Sequence, residues 1–213
     1  MKNLIKLMVM LIPVWALSGC IMAVNNVNKG YQFPVEKNEG VLLASITQAG
    51  FGARTAISST YYFRNIETGK KHRISISPSL LPGLGSNSDF SSDYGKVVAV
   101  NLPAGDYEFN SWRASNNQVA LTPGYLLPAG FTIEKGKATY VGNIYAQIRS
   151  MKNLFGISVL GDVEVSFLDK LQRDLPVITS LYPFVNNQNL TVKIAHEGAW
   201  PIDIERLKAN QAQ

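Results

Sequence analysis

The chain is short of the side chains that carry chemistry. Its 213 residues include one cysteine and two histidines, and 16% are charged. A single thiol excludes an internal disulfide. Two histidines with no further His or Cys at ligand spacing leave no metal set, and no cofactor is expected. Low charge beside 46% hydrophobic and 10% aromatic residues excludes a disordered or coiled-coil chain. The net charge of +5 falls to about +3 without Lys2 and Lys6 and is evenly spread, so no nucleic-acid partner is expected. There is no G-x-S-x-G elbow of the serine-hydrolase type. No apolar run reaches the roughly 20 residues that a membrane-spanning helix needs.

What is present begins at the N-terminus. A short basic start with Lys2 and Lys6 precedes the apolar run Leu7–Leu17, which contains Pro13. Small residues follow it. That order describes an export signal over residues 1–19 rather than an anchor. Leu17-Ser18-Gly19-Cys20 then resembles the lipobox of bacterial lipoproteins. The resemblance implies cleavage between Gly19 and Cys20, diacylglycerol on the Cys20 sulfur and an acylated new amine. Two or three acyl chains, at about 0.8 kcal/mol per buried methylene, hold a protein on a bilayer where one chain holds it marginally. Ile21 follows, where inner-membrane lipoproteins of that family commonly carry Asp, so the resemblance points to the outer membrane. The expected partner at this end is the membrane itself, through Cys20.

Residues 20–38 are polar and rich in Asn, and read as an acylated, flexible tether on which Tyr31-Gln32-Phe33 has the apolarity to dock. Residues 39–200 read as a β domain, and 201–213 as a tail. Short runs recur between turn residues: Val41–Thr47, Ser59–Ile66, Lys71–Ser77, Val97–Leu102, Tyr107–Arg113, Phe131–Glu134, Ala138–Gln147, Phe155–Leu160, Asp162–Phe167 and Leu190–Ala195. Ser59–Ser77 reads as one hairpin across Glu67–Lys70, and Phe131–Gln147 as another across Lys135–Lys137. The expectation is a mainly β protein, an antiparallel β-sandwich of Ig-like or prealbumin-like type. One helix is expected near Ser166–Leu175, with Ser166 and Asp169 at capping-box spacing and Pro176 as its end. Two longer loops, Pro78–Gly95 and Ser115–Gly130, are candidates for function.

Leu102-Pro103-Ala104-Gly105-Asp106-Tyr107, followed by the segment FTIEKGKATYVG at 131–142, resembles a pattern of uncharacterised bacterial lipoproteins. Those carry transthyretin-like or carboxypeptidase-regulatory-like sandwiches. The resemblance spans residues 97–146, bears on fold, and lends no catalytic residue.

Few candidates for chemistry remain. His72 alternates with Ile74 and Ile76 on one strand face, and His196 precedes Glu197. The loop Gly83–Asp89 lacks the Lys-Ser/Thr of a phosphate loop and the ligand spacing of a calcium loop. Tyr61-Tyr62-Phe63-Arg64 and Trp112-Arg113 place flat rings beside guanidinium groups, suited to stacking on sugar rings or a protein partner. In a strand, either Tyr61 with Phe63 or Tyr62 must face the core. Two functions follow as expectations. The first is a lipid-anchored, non-catalytic envelope module, binding or structural, that presents loops or an edge strand to an envelope protein or glycan, with Tyr61, Tyr62, Arg64, Trp112 and Arg113 as the candidate binding surface. The second is an envelope hydrolase built on His72 or His196 with a carboxylate.

Overall fold

The computed structural model describes residues 21–34, 36–54, 56–78 and 88–211. The export signal, Gly19, Cys20 and residues 83–87 of the glycine loop lie outside them. Twelve strands among the described residues form two sheets. The first contains β1 (Met22–Ala23), β4 (Lys71–Ile76), β3 (Ser58–Asn65), β6 (Gly105–Ser115) and β7 (Ala120–Leu121) in that order, with β8 (Ala129–Ile133) also on β6. The second runs β12 (Gly198–Ala199), β10 (Ser158–Leu168), β9 (Ala138–Lys152), β2 (Glu39–Gly50) and β5 (Tyr94–Pro103), with β11 (Leu190–Val192) on β9.

Inward side chains of both sheets make one apolar core. Tyr61, Phe63, Phe109 and Phe131 of the first sheet join Leu42, Ile46, Ile144 and Phe167 of the second in a single buried cluster. The outer faces differ. In β4 burial alternates strictly, as a strand with one wet face requires. In β2 a continuous run is buried, because helix α1 (Leu171–Leu181) and the segment before β2 cover the other side. Val41, Leu43, Val97, Ala99 and Tyr140 meet Ile178, Tyr182 and Val185 there, with Tyr31, Phe33 and Phe184 stacked edge-on over them.

Several expectations are corrected. The sheets are mixed rather than antiparallel: β2 pairs with β9, β11 with β9 and β1 with β4 in parallel. Burial of β2 on both faces is the environment in which parallel strands occur. Residues 131–147 do not form a hairpin. β8 pairs with β6 in one sheet and β9 with β2 in the other, so the Lys135–Lys137 turn crosses between sheets. A Gly-bearing turn between alternating runs looks the same in both arrangements. The runs on either side of Gly161 form one strand with a bulge there, where an added Cβ would meet the Met151 nitrogen at 2.7 Å. The hairpin turn lies earlier, between Lys152 and Ser158.

Helix α1 starts at Leu171 rather than Ser166, because Ser166 and Phe167 pair with Tyr145 and Ile144 in the β10–β9 ladder. Asp169 does serve the helix start, its Oδ1 accepting the Leu171 N–H at 3.0 Å. Pro176 sits inside the helix rather than ending it, and the buried Asp174 and Ile178 hold that turn in place. A second helix, α2 (Ile204–Gln211), occupies the expected tail. The expected tether is laid on the domain. β1 joins the first sheet at His72, Val27 N–H donates to Ala99 O at 2.8 Å, and the Tyr31 hydroxyl donates to Asn101 at 2.7 Å.

Candidate binding surface

The predicted aromatic and basic residues separate onto two sides of the first sheet. Tyr61 and Phe63 point into the core and Tyr62 and Arg64 outward. Burial drives the Tyr61 hydroxyl far above the ordinary tyrosine range. Asn110 is an extra residue opposite the Tyr62–Phe63 step, and this bulge flips the alternation of β6. Trp112 therefore turns inward with Ala114, while Arg113 stays exposed.

Register then assembles the outer face. Tyr62 lies between Arg73 of β4 and Ser111 of β6, Arg64 between Lys71 and Glu108, and Thr60 between Ser75 and Arg113. Glu108 binds Arg64, with 2.7 Å to Nε and 2.6 Å to Nη2. Lys71, Arg73 and Arg113 have no carboxylate in salt-bridge reach among the described residues. Beside Tyr62 lies a shallow depression of about 280 Å³, bordered by Lys71, Asn110, Ser111 and Ile21. The strand register thus brings together three of the five predicted residues, Tyr62, Arg64 and Arg113, and adds Lys71 and Arg73.

Trp112 belongs to a separate cleft of about 360 Å³ at the opposite edge of the sheets. Thr122–Gly124 from the Ser115–Gly130 loop wall it, with Asp162 and Glu164 of β10 across from them and Trp200 beyond. Trp200 is fixed by a 2.7 Å bond from Nε1 to Leu127 O and a 5.1 Å edge contact with Phe167. Arg149 neutralises both carboxylates, at 3.3 Å to Asp162 and 2.8 Å to Glu164. Nothing in the sequence marked Trp200 or these acids, because the cleft is made by elements far apart in the chain.

The histidines stay apart from each other and from acids. His72 is 3% exposed, stacks on Phe63 at 5.2 Å, and neither ring nitrogen has a hydrogen-bond partner among the described residues. Loss of hydration, then the charge of Lys70, lowers its pKa from the ordinary value, which favours the neutral ring. His196 Nε2 lies 3.2 Å from the Ala199 carbonyl. Among the described residues neither makes the carboxylate or hydroxyl contact that a histidine-based hydrolase requires. No group of three or more His, Cys, Asp or Glu among the described residues has a metal-binding arrangement. Asp89, the described end of the glycine loop, is engaged by Lys96 at 2.9 Å and by the Val97 N–H at 2.8 Å.

The densest polar cluster was not foreseen. Asp174 of α1 is wholly buried against the outer face of the second sheet. It accepts hydrogen bonds from the Ser45 hydroxyl, from Tyr140 at 2.5 Å and from Arg173 Nε at 2.7 Å. Asn143 Nδ2 donates to Ser45 Oγ at 2.8 Å, and Thr47 Oγ1 donates to Asn143 Oδ1 at 3.0 Å. Burial, then the hydrogen bond and charge of Asp174, hold the Tyr140 hydroxyl far above its ordinary range. Arg173 covers the cluster, its guanidinium 4.3 Å from the Phe90 ring centre. The satisfied geometry and total burial of Asp174 describe a lock between helix and sheet rather than a reaction centre.

No family model matches the chain, and no curated protein does. Among solved structures, a leucine-rich repeat protein from Bacteroides thetaiotaomicron is similar over 53% of this chain and 14% of its own, with 17% identity and a TM-score of 0.29. The matched region thus spans a small part of that protein's length. Among the described residues no helix is long and apolar enough to cross a membrane.

Proposed function

We propose that the protein is a lipid-anchored component of a bacterial outer membrane. Its two sheets act as a β-sandwich of prealbumin-like type, a non-catalytic binding or structural module for an envelope protein or glycan. The observation that carries the anchoring is the lipobox Leu17-Ser18-Gly19-Cys20 behind a short apolar segment with a basic start. The binding role is supported by the exposed face around Tyr62, Arg64 and Arg113, where the rings and cations suit a flat or anionic partner. The hydrolase reading gains nothing from His72 or His196, for which no acidic partner is found among the described residues.

The test is metabolic labelling with a fatty acid in cells, followed by membrane fractionation. The native chain is expected to take up label and sediment with the outer membrane. Cys20→Ala is expected to lose the label and remain unprocessed. Normal cleavage and unchanged outer-membrane fractionation of that variant overturn the anchoring. Crosslinking on intact cells then separates a protein partner from a glycan.

A further inference from the structure

The first described residues of the chain reach the open face. β1 lies along the edge strand β4, with Met22 beside His72 and Ala23 beside Arg73, and Ile21 borders the depression next to Tyr62. Ile21, the first described residue, therefore lies toward the end of the first sheet where Arg64 pairs with Lys71. Three apolar side chains are bare at that end: Ile21 at 46% exposure, Met22 at 47% and Ile66 of the β3–β4 turn at 55%. Four exposed cations stand on the adjoining face, Arg64, Lys71, Arg73 and Arg113, with Lys70 in the turn. The acids near them are Glu108, taken up by Arg64, Asp106, which accepts from Thr132, and Glu67 in the turn. Basic side chains beside a bare apolar rim fit the boundary between anionic headgroups and acyl chains.

We propose that this face rests on the anionic lipid surface of the membrane, so that the domain lies against the bilayer beside its anchor. The inference rests on the anchoring reading above, adds an orientation to it, and gives the Tyr62, Arg64 and Arg113 face to lipid in place of a protein or glycan partner. Because residues 22–33 are fastened to the domain, little chain remains between Cys20 and the sheet edge to hold the face away. The opposite end of the molecule also carries bare apolar groups, Leu154, Phe155 and Ile157 in the β9–β10 turn. The connections fix its place. Ala104 joins the end of β5 to the start of β6, whereas the β9–β10 turn lies beyond Gly50 and Ile148 at the far end. The hairpin tip thus belongs to the second sheet, at the end away from Ile21 and Ile66.

The experiment uses the full chain, exported and processed in cells, purified and reconstituted into vesicles. A polarity-sensitive dye is placed at Ser75→Cys on the face, at Asn153→Cys on the hairpin tip, or at Ser180→Cys on α1. In phosphatidylglycerol-rich vesicles the dye at position 75 is expected to blue-shift, and those at 153 and 180 to stay as in water. The shift should weaken in phosphatidylcholine and in high salt. With Lys71→Glu/Arg73→Glu the half-saturating fraction of phosphatidylglycerol is expected to rise several-fold, since each surface cation near anionic lipid has a several-fold effect. A dye at 75 that stays as in water, or a shift at 153 instead, overturns the proposal. So does a shift at 75 that ignores charge reversal. The chain without an added cysteine separates this from failure of the anchor: a Cys20 that takes up dye is bare and sinks the anchoring, while the charge-dependent shift at 75 still decides the orientation.

Discussion

The two sheets share a core yet face their surroundings differently. The second is packed on both sides around β2, β5 and the first half of β9, with apolar contacts at one end of its outer face and the Asp174 cluster beside them. The first is packed on one side and offers alternating exposed residues on the other. A covered sheet carries its specificity inward, into hydrogen bonds that hold a helix. An open sheet leaves its outward residues free of any packing role, so the composition of that face is available for binding.

That contrast can be broken at three points, in descending order of effect. Asp174→Ala leaves Tyr140, Ser45 and Arg173 without their shared acceptor, and is expected to lower unfolding free energy by about 3–5 kcal/mol in urea melts. A loss as small as that of a surface substitution would mean that the cluster does not hold α1. His72→Leu tests the core beneath the open face. The folded-state pKa of His72 is lowered, so below about pH 6.5 the unfolded chain binds the extra proton and native stability falls as pH drops. The variant is expected to lose that part of the pH dependence and to match or exceed the native chain between pH 5 and pH 6.5 in thermal melts. Arg73→Glu, on the outer face, is expected to change stability by less than about 0.5 kcal/mol. A larger loss would show that the face is not free of structural duties.

The same contrast decides what could be read from the chain. The β3–β4 hairpin was legible because its alternation and its Gly69 turn are local. So was the alternation that sets Tyr61 and Phe63 against Tyr62 and Arg64, though which pair faces outward, and the nearness of Arg113, come only with the sheet. Trp112 was not, since its direction depends on the single extra residue Asn110, and a bulge leaves no mark in an alternation of mixed polarity. The lock was hidden for a different reason. Ser45, Tyr140, Asn143 and Asp174 come from three separate elements, and only the parallel β2–β9 pairing and the helix above it make them neighbours. The mixed topology was hidden likewise, because parallel partners lie far apart and their continuous apolar runs say buried without saying beside what.

The β2–β9 pairing also governs how the molecule comes into being. Val41 must find Ala138, about one hundred residues later, before the central seam closes. A chain emerging N-terminus first therefore holds a hydrophobic strand with one vacant edge until most of its length has arrived. Such a strand invites pairing with a stranger. Cells making this protein are expected to need a holdase, and its depletion should leave aggregates seeded by residues 39–50.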